Sequence, residues 1–146
     1  MANLGYMQLV RGCNQYCRFC SNPASGYMLD LPTARRQIDD FRSRGYFGVI
    51  LTGGEPSLSP IVPEVARYAS DHGLHVRMIT NGSQLARPGL AERYRDAGLS
   101  CFHVSIHSTR PELEDFLTGV KGSFDLAMRA RVRRRRPRDW QVLAGR

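Results

Sequence analysis

Short apolar segments alternate with segments of helical periodicity four times along this chain of 146 residues. The apolar segments have the length of strands and end at glycine or polar residues. They span residues 6–10, 47–51, 74–80 and 101–106, and helical patterns follow at 32–45, 62–72, 90–97 and 111–117. A further helix is expected from Ser123, and Pro137 forbids its continuation. Strand–helix alternation predicts an α/β fold with a parallel sheet and right-handed crossovers.

Unusual polar or glycine-rich segments follow each predicted strand at its carboxyl end. A cysteine-rich loop follows the first strand and Gly-Gly-Glu-Pro the second, at 53–56. Thr-Asn-Gly follows the third, at 80–82, and a serine and two histidines lie at the end of the fourth. Parallel α/β folds bind their ligands at the carboxyl ends of the strands. The four segments are therefore expected to meet in one functional site.

Three of the four cysteines lie in the first of these loops, with the spacing C-x3-C-x2-C: Cys13, Cys17 and Cys20. The fourth, Cys101, is 81 residues beyond Cys20. Structural metal sites normally take four protein ligands, so three thiolates on a four-iron cluster would leave one iron open for catalysis. A zinc site completed by a distant histidine or by Cys101 is an alternative, although paired C-x2-C knuckles are missing.

The cysteine spacing, with the aromatic Phe19 before the last cysteine, resembles the cluster loop of the radical S-adenosylmethionine (radical SAM) enzymes. The motif Gly53-Gly54-Glu55-Pro56 matches the GGEP motif of that family, although alone it could be a strand-ending turn. The resemblance implies that the three cysteines hold a [4Fe–4S] cluster whose open iron binds S-adenosylmethionine (SAM). It assigns Gly53, Gly54 and Glu55 to the SAM amino group.

The same resemblance implies an enzyme that cleaves SAM reductively to a 5′-deoxyadenosyl radical, which abstracts a hydrogen from a substrate. It also implies a one-electron donor of the flavodoxin or ferredoxin kind. Phe19 would lie near the adenine or shield the cluster, Asn81 would approach the cofactor, and Ser105, placed on the fourth strand, would contact the ribose. Asn81-Gly82 alone reads as a turn. His103 and His107 share the face of Ser105, where a structural role is favoured over a catalytic one.

Positive charge is concentrated at the end of the chain. The net charge is +8, and residues 129–146 contain eight arginines and one acid, whereas the first 128 residues contain 13 basic and 12 acidic residues.

The likeness to radical SAM proteins covers residues 6–128, about four of the six βα units of a partial barrel. We therefore expect an incomplete core at 1–128 and a tail at 129–146 outside the fold.

The arginine-rich tail has two interpretations. It could bind RNA phosphates, which leaves a non-catalytic metal-binding or RNA-binding fragment as the alternative function. It could instead come from a truncated or frame-shifted gene, and the lack of accompanying aromatic platforms favours this view.

An apolar content of 42% and a charged content of 23% are typical of a soluble protein. No apolar run approaches the roughly 20 residues of a membrane span, and no signal peptide is apparent, so a cytoplasmic location is expected.

Overall fold

Four parallel strands form a single sheet in the computed structural model, which describes residues 3–132. The strands are β1 (Leu4–Val10), β2 (Gly48–Gly53), β3 (His75–Thr80) and β4 (Leu99–Val104). They lie side by side in chain order, and each neighbouring pair is parallel. The α/β fold with a parallel sheet predicted from the alternating pattern is confirmed.

Helices connect the strands and follow the last one. They are α1 (Leu31–Ser43), α2 (Val62–Asp71), α3 (Leu90–Asp96), α4 (Pro111–Thr118) and α5 (Ser123–Val132). Short 3-10 turns, Pro56–Leu58 and Gln84–Ala86, follow β2 and β3. The Asp30 carboxylate caps α1 by accepting the Thr33 N–H at 2.8 Å, and Pro32 occupies a first-turn position. Every helix within residues 3–132 is too short or too polar to span a bilayer.

The two faces of the sheet differ in burial because successive side chains of a strand point to opposite sides. One face is covered by helices and is fully buried at Met7, Leu9, Val49, Leu51, Val76 and Met78. Register pairing places the alternate side chains together on the other side, which we call the open face. The open face consists of Tyr6, Gln8, Ile50, Thr52, Arg77, Ile79, Cys101 and His103, and all but Ile50 are at least partly exposed.

Two details differ from the sequence expectations. Strand β4 ends at Val104, so Ser105 follows the strand instead of lying on it, and its N–H donates to the Thr80 carbonyl at 2.9 Å. The sequence at 109–112 also has the spacing of a capping box, Thr-x-x-Glu, but α4 begins at Pro111 and its N-cap, Arg110, makes no side-chain capping bond. Thr109 therefore lies one residue too early to cap the helix.

The end of the predicted core also differs. Helix α5 continues to Val132, four residues beyond the expected boundary at 128. The remainder of the predicted arginine-rich tail, 133–146, lies outside the described residues.

Candidate functional site

A buried carboxylate connects the loops that follow β2 and β3. The Glu55 side chain is 0% exposed. Its Oε1 accepts the N–H and hydroxyl of Ser57 and, at 2.7 Å, the Thr80 hydroxyl. Its Oε2 accepts the Asn81 N–H at 2.7 Å. A buried carboxylate needs such donors to offset its lost hydration, so the positions of the two loops are coupled.

The Asn81 side chain extends this network to the cysteine loop, residues 11–20. Its Nδ2 donates to the Asn14 Oδ1 at 2.9 Å and lies 3.9 Å from the Cys13 Sγ. Its Oδ1 accepts the Ser83 N–H and hydroxyl, and the Asn14 Nδ2 donates to the Ser83 hydroxyl at 2.8 Å. Carboxylate and amide together therefore tie the loops after β1, β2 and β3 to one another.

The backbones of the Gly-Gly-Glu segment and the cysteine loop approach very closely. The N–H of Gly54 donates to the Val10 carbonyl at 2.8 Å, and that of Glu55 donates to the Gly12 carbonyl at 2.9 Å. A Cβ on Gly54 would overlap the carbonyl of Gly12, and one on Gly53, whose φ is +154°, would overlap that of Val10. Both positions therefore require glycine because the backbone packs against the cysteine loop. The sequence had suggested only a role for these glycines at the SAM amino group.

Helix α4 holds the other side of the cysteine loop. The N–H of Tyr16 donates to the Thr118 carbonyl at 2.8 Å, and that of Arg18 to the Leu117 carbonyl at 2.9 Å. These acceptors belong to the last turn of α4, where carbonyls lack partners within the helix. Gly119 follows with φ +68° and leaves room for the Tyr16 carbonyl. The loop is therefore fixed on both sides while its thiols stay accessible.

The three thiols of the loop interact electrostatically. Cys13 and Cys17 are partly buried, and Cys20 is exposed. Burial raises the pKa of the Cys13 thiol, and the Glu55 carboxylate and Cys20 add to that rise, while the N–H of Gln15 opposes it. Burial also raises the pKa of Cys17, with further contributions from Cys13 and Cys20. Three thiolates would repel one another, and bound cations would remove that cost.

This donor set fits an iron–sulfur cluster. Thiolates are the ligands that such clusters take, and three within one fixed loop leave one iron of a four-iron cluster without a protein ligand. Within residues 3–132, no three histidine, cysteine, aspartate or glutamate side chains lie close enough together to hold one metal ion. That finding concerns a single-ion site, whereas a cluster spreads its ligands over several irons.

The remaining predicted residues lie near the cysteine loop to different degrees. Phe19 is 52% exposed, and its ring contacts His107 edge-on with the centroids 4.5 Å apart. Ser105 is partly buried and bonds to the backbone of Thr80, beside Asn81. His103 lies on the open face, two residues before Ser105, while His107 is exposed after β4. Sequence-predicted residues from all four strand ends thus lie at one edge of the sheet.

Two acidic residues of α4 were not predicted from the sequence. Glu114 is 2% exposed and accepts the N–H groups of His107 and Ser108, at 2.8 and 2.7 Å. Asp115 accepts the N–H groups of Gly122 and Phe124, and these bonds lower the pKa of its carboxyl. Both positions orient segments beside the cysteine loop. The only signal for them is an acidic pair in a short helix, which usually indicates a solvated face.

Comparisons with known proteins identify a family and several relatives that this chain resembles. A model of the radical SAM superfamily matches residues 7–135. The chain is 37% identical over 122 residues to the AdoMet-dependent heme synthase of Methanosarcina barkeri and 32% identical over 134 residues to the PqqA peptide cyclase of Ruegeria pomeroyi. These matches cover 81% and 88% of this chain, but 35% and 36% of the relatives. The chain therefore spans about a third of the length of the curated relatives it matches.

A solved structure shares the fold. Streptococcus suis SuiB, bound to the precursor peptide SuiA, superposes with a TM-score of 0.73 at 17% sequence identity. The match covers 88% of this chain and 29% of that one. Identity this low shows the fold alone, and it confirms the expected partial parallel (βα) barrel.

We predict that Gly54→Ala displaces the cysteine loop, because the new Cβ would overlap the Gly12 carbonyl and lie too close to that of Arg11. Iron uptake after anaerobic reconstitution should fall at least fivefold. Gly26→Ala is the matched control, since an added Cβ there meets nothing within 4 Å. Equal iron content in the two variants would contradict the close-approach argument.

We also predict that the Cys13 and Cys17 thiols of the metal-free chain stay protonated at neutral pH. Because burial raises the pKa values of Cys13 and Cys17, their thiolates should form at higher pH than the thiolate of an exposed cysteine, and metal binding at pH 7 should release protons. Thiolate absorbance near 240 nm, taken as the difference from a Cys13→Ser/Cys17→Ser variant, cancels the tyrosine signal. A difference that develops below pH 8 would be inconsistent with burial as the dominant cause.

Proposed function

Because the chain belongs to the radical SAM superfamily, we propose that it binds a [4Fe–4S] cluster through Cys13, Cys17 and Cys20 and uses SAM in radical catalysis. The cluster and SAM would supply the reductive cleavage that yields a 5′-deoxyadenosyl radical, which abstracts a hydrogen from a substrate. The protein residues bind, orient and shield these groups.

One observation carries this proposal: the loop with three thiols is joined through Asn14 and Asn81 to the Glu55 carboxylate. A structural metal loop needs no such connection to the ends of two further strands. A cofactor that must touch both a metal and the neighbouring strand ends does need it, because its reacting atoms must be held in one geometry. The network therefore supports a catalytic role over a structural one.

We assign the SAM-binding roles residue by residue. Glu55 Oε2 accepts one hydrogen bond from the described chain, whereas Oε1 accepts three, so Oε2 has the remaining capacity for the SAM ammonium group. The backbone of Gly53 and Gly54 lies beside it. Phe19 is exposed enough to stack on the adenine, and Ser105, next to the loop after β3, is the candidate for the ribose.

Partners follow from the same chemistry. Reductive cleavage needs one electron from outside, so we propose a small flavodoxin-like or ferredoxin-like donor. The relatives include a heme synthase and a peptide cyclase by name, although the matched segment is common to them. We infer that this segment supplies the cofactor chemistry, and that individual positions facing the substrate distinguish one reaction from another.

We predict that the anaerobically reconstituted chain binds about four irons and forms 5′-deoxyadenosine from SAM when a strong reductant is added. Replacing Cys13, Cys17 or Cys20 by Ala should reduce the iron content at least tenfold and abolish the product, since each thiolate would supply one of the ligands that hold the cluster. Iron content and chromatographic detection of the product are the measurements.

The matched control is Cys101→Ala, which removes a cysteine from β4, away from the cysteine loop, and should retain the iron. Stoichiometric zinc without iron uptake in the unaltered chain would overturn the proposed function.

A further inference from the structure

A cationic side chain lies on the open face of the sheet, toward the amino ends of the strands from the cysteine loop. Arg77 of β3 is in register with Ile50 of β2 and with Cys101 of β4. Residues paired in register on parallel strands point to the same side of a sheet, so the guanidinium group projects from the open face. This face is separate from the outer surface, where helices α1, α2 and α3 pack.

No carboxylate of the described chain neutralises this charge. The ion pairs in residues 3–132 join Arg44 to Asp40 and Arg95 to Asp96, and neither involves Arg77. Arg77 is partly buried, and burying a charge without a counter-charge is unfavourable to the extent that the charge loses contact with water. The open face therefore presents an uncompensated positive charge.

A histidine beside Arg77 has an unused polar atom. His103 is in register with Ile79, two residues after Arg77, and its Nε2 is buried without a hydrogen-bond partner in the described chain. Burial lowers the pKa of His103, and the charge of Arg77 lowers it further. A buried nitrogen left without a partner usually indicates a missing ligand or water. Both side chains would be satisfied by one anionic group between them.

The position of the pair suits a substrate that reaches the radical site. His103 precedes Ser105 by two residues, which is roughly 7 Å along a strand, and Arg77 precedes Thr80 by three, roughly 10 Å. Thr80 and Ser105 mark the edge where the cysteine loop lies. The apolar Ile79 lies beside His103 on the same face, between Arg77 and that edge. A molecule with an apolar body could therefore span from this pair to the cysteine loop.

We propose that Arg77 and His103 bind an anionic oxygen group, a carboxylate or a phosphate, on an otherwise apolar substrate. This inference rests on the proposed function, because it takes the open face to be the substrate side of a radical SAM site. Guanidinium groups bind carboxylate and phosphate by paired hydrogen bonds, and the imidazole Nε2–H adds a donor from the neighbouring strand.

The test is an NMR titration of the full 146-residue chain after anaerobic reconstitution, with histidine labelled by ¹⁵N and ¹³C. The two probes are benzoate, a carboxylate on an apolar ring, and inorganic phosphate. The His103 signals are identified by their loss in His103→Gln. At least one probe should saturate and shift the His103 signals more than those of the exposed His75 and His107. Tighter binding of benzoate assigns a carboxylate, and tighter binding of phosphate assigns a phosphate group.

Arg77→Gln should weaken binding of the preferred probe at least tenfold, because it removes the charge while keeping a side chain of similar length. Arg67→Gln, on the outer helix α2, is the matched control and should change affinity less than twofold. Unchanged signals of His75 and His107 in the absence of probe show that each variant is folded. Equal affinity in Arg77→Gln and the unaltered chain, or saturation by neither probe, would overturn the proposal.

The outcome separates this inference from the proposed function. SAM cleavage by the same reconstituted sample reports on the proposed function and is measured independently of anion binding. If the sample cleaves SAM but binds neither anion, only the proposal of an anion site is rejected. Anion binding by a chain that takes up no iron keeps the anion site and rejects the proposed cluster-dependent function.

Discussion

The buried Glu55 carboxylate is the constraint on which the site depends. Four donors from Ser57, Thr80 and Asn81 converge on it, and its own N–H donates to the cysteine loop at Gly12. Hydrogen bonds to a charged acceptor contribute about 1.5–3 kcal/mol each, so breaking one loop free costs more than a typical surface contact. The hydrogen bonds of Glu55 thereby connect the ends of the strands to one another. They also fix the position of the cysteine loop and of its thiols.

The surroundings of the cysteine loop disfavour charged thiols, while hydrogen bonds of its backbone hold the loop in place. Partial burial beside a carboxylate disfavours thiolates at Cys13. The last turn of α4 nevertheless accepts hydrogen bonds from the backbone of Tyr16 and Arg18, and these bonds oppose an opening of the loop that would relieve the repulsion. The loop is thus unfavourable for free thiolates, and a bound metal would neutralise them. This preorganisation is expected of a centre that must hold its metal in a defined geometry.

The sequence predicted the parallel sheet and the edge where the site lies, because apolar periodicity and glycine punctuation are local signals. It did not predict the contacts that connect that edge. The partner of Asn81 in the cysteine loop is 67 positions away, at Asn14, and no local pattern encodes such a bond. Glu114 was missed for a related reason, since a buried acid and a solvated one look alike within a short helix. The end of β4 was placed two residues late because apolar Ile106 extends the apparent pattern.

Amide hydrogen exchange in Glu55→Gln tests the central claim most directly. A glutamine must turn its NH₂ group toward donors at one of the two oxygen positions, so the network loses bonds whichever way the amide is oriented. We expect the amides of Glu55 and Asn81 to exchange at least tenfold faster than in the unaltered chain. The same substitution at Glu64, on α2, should leave them unchanged. If exchange at Glu55 and Asn81 stays the same in a folded Glu55→Gln protein, the buried carboxylate does not hold the strand ends together.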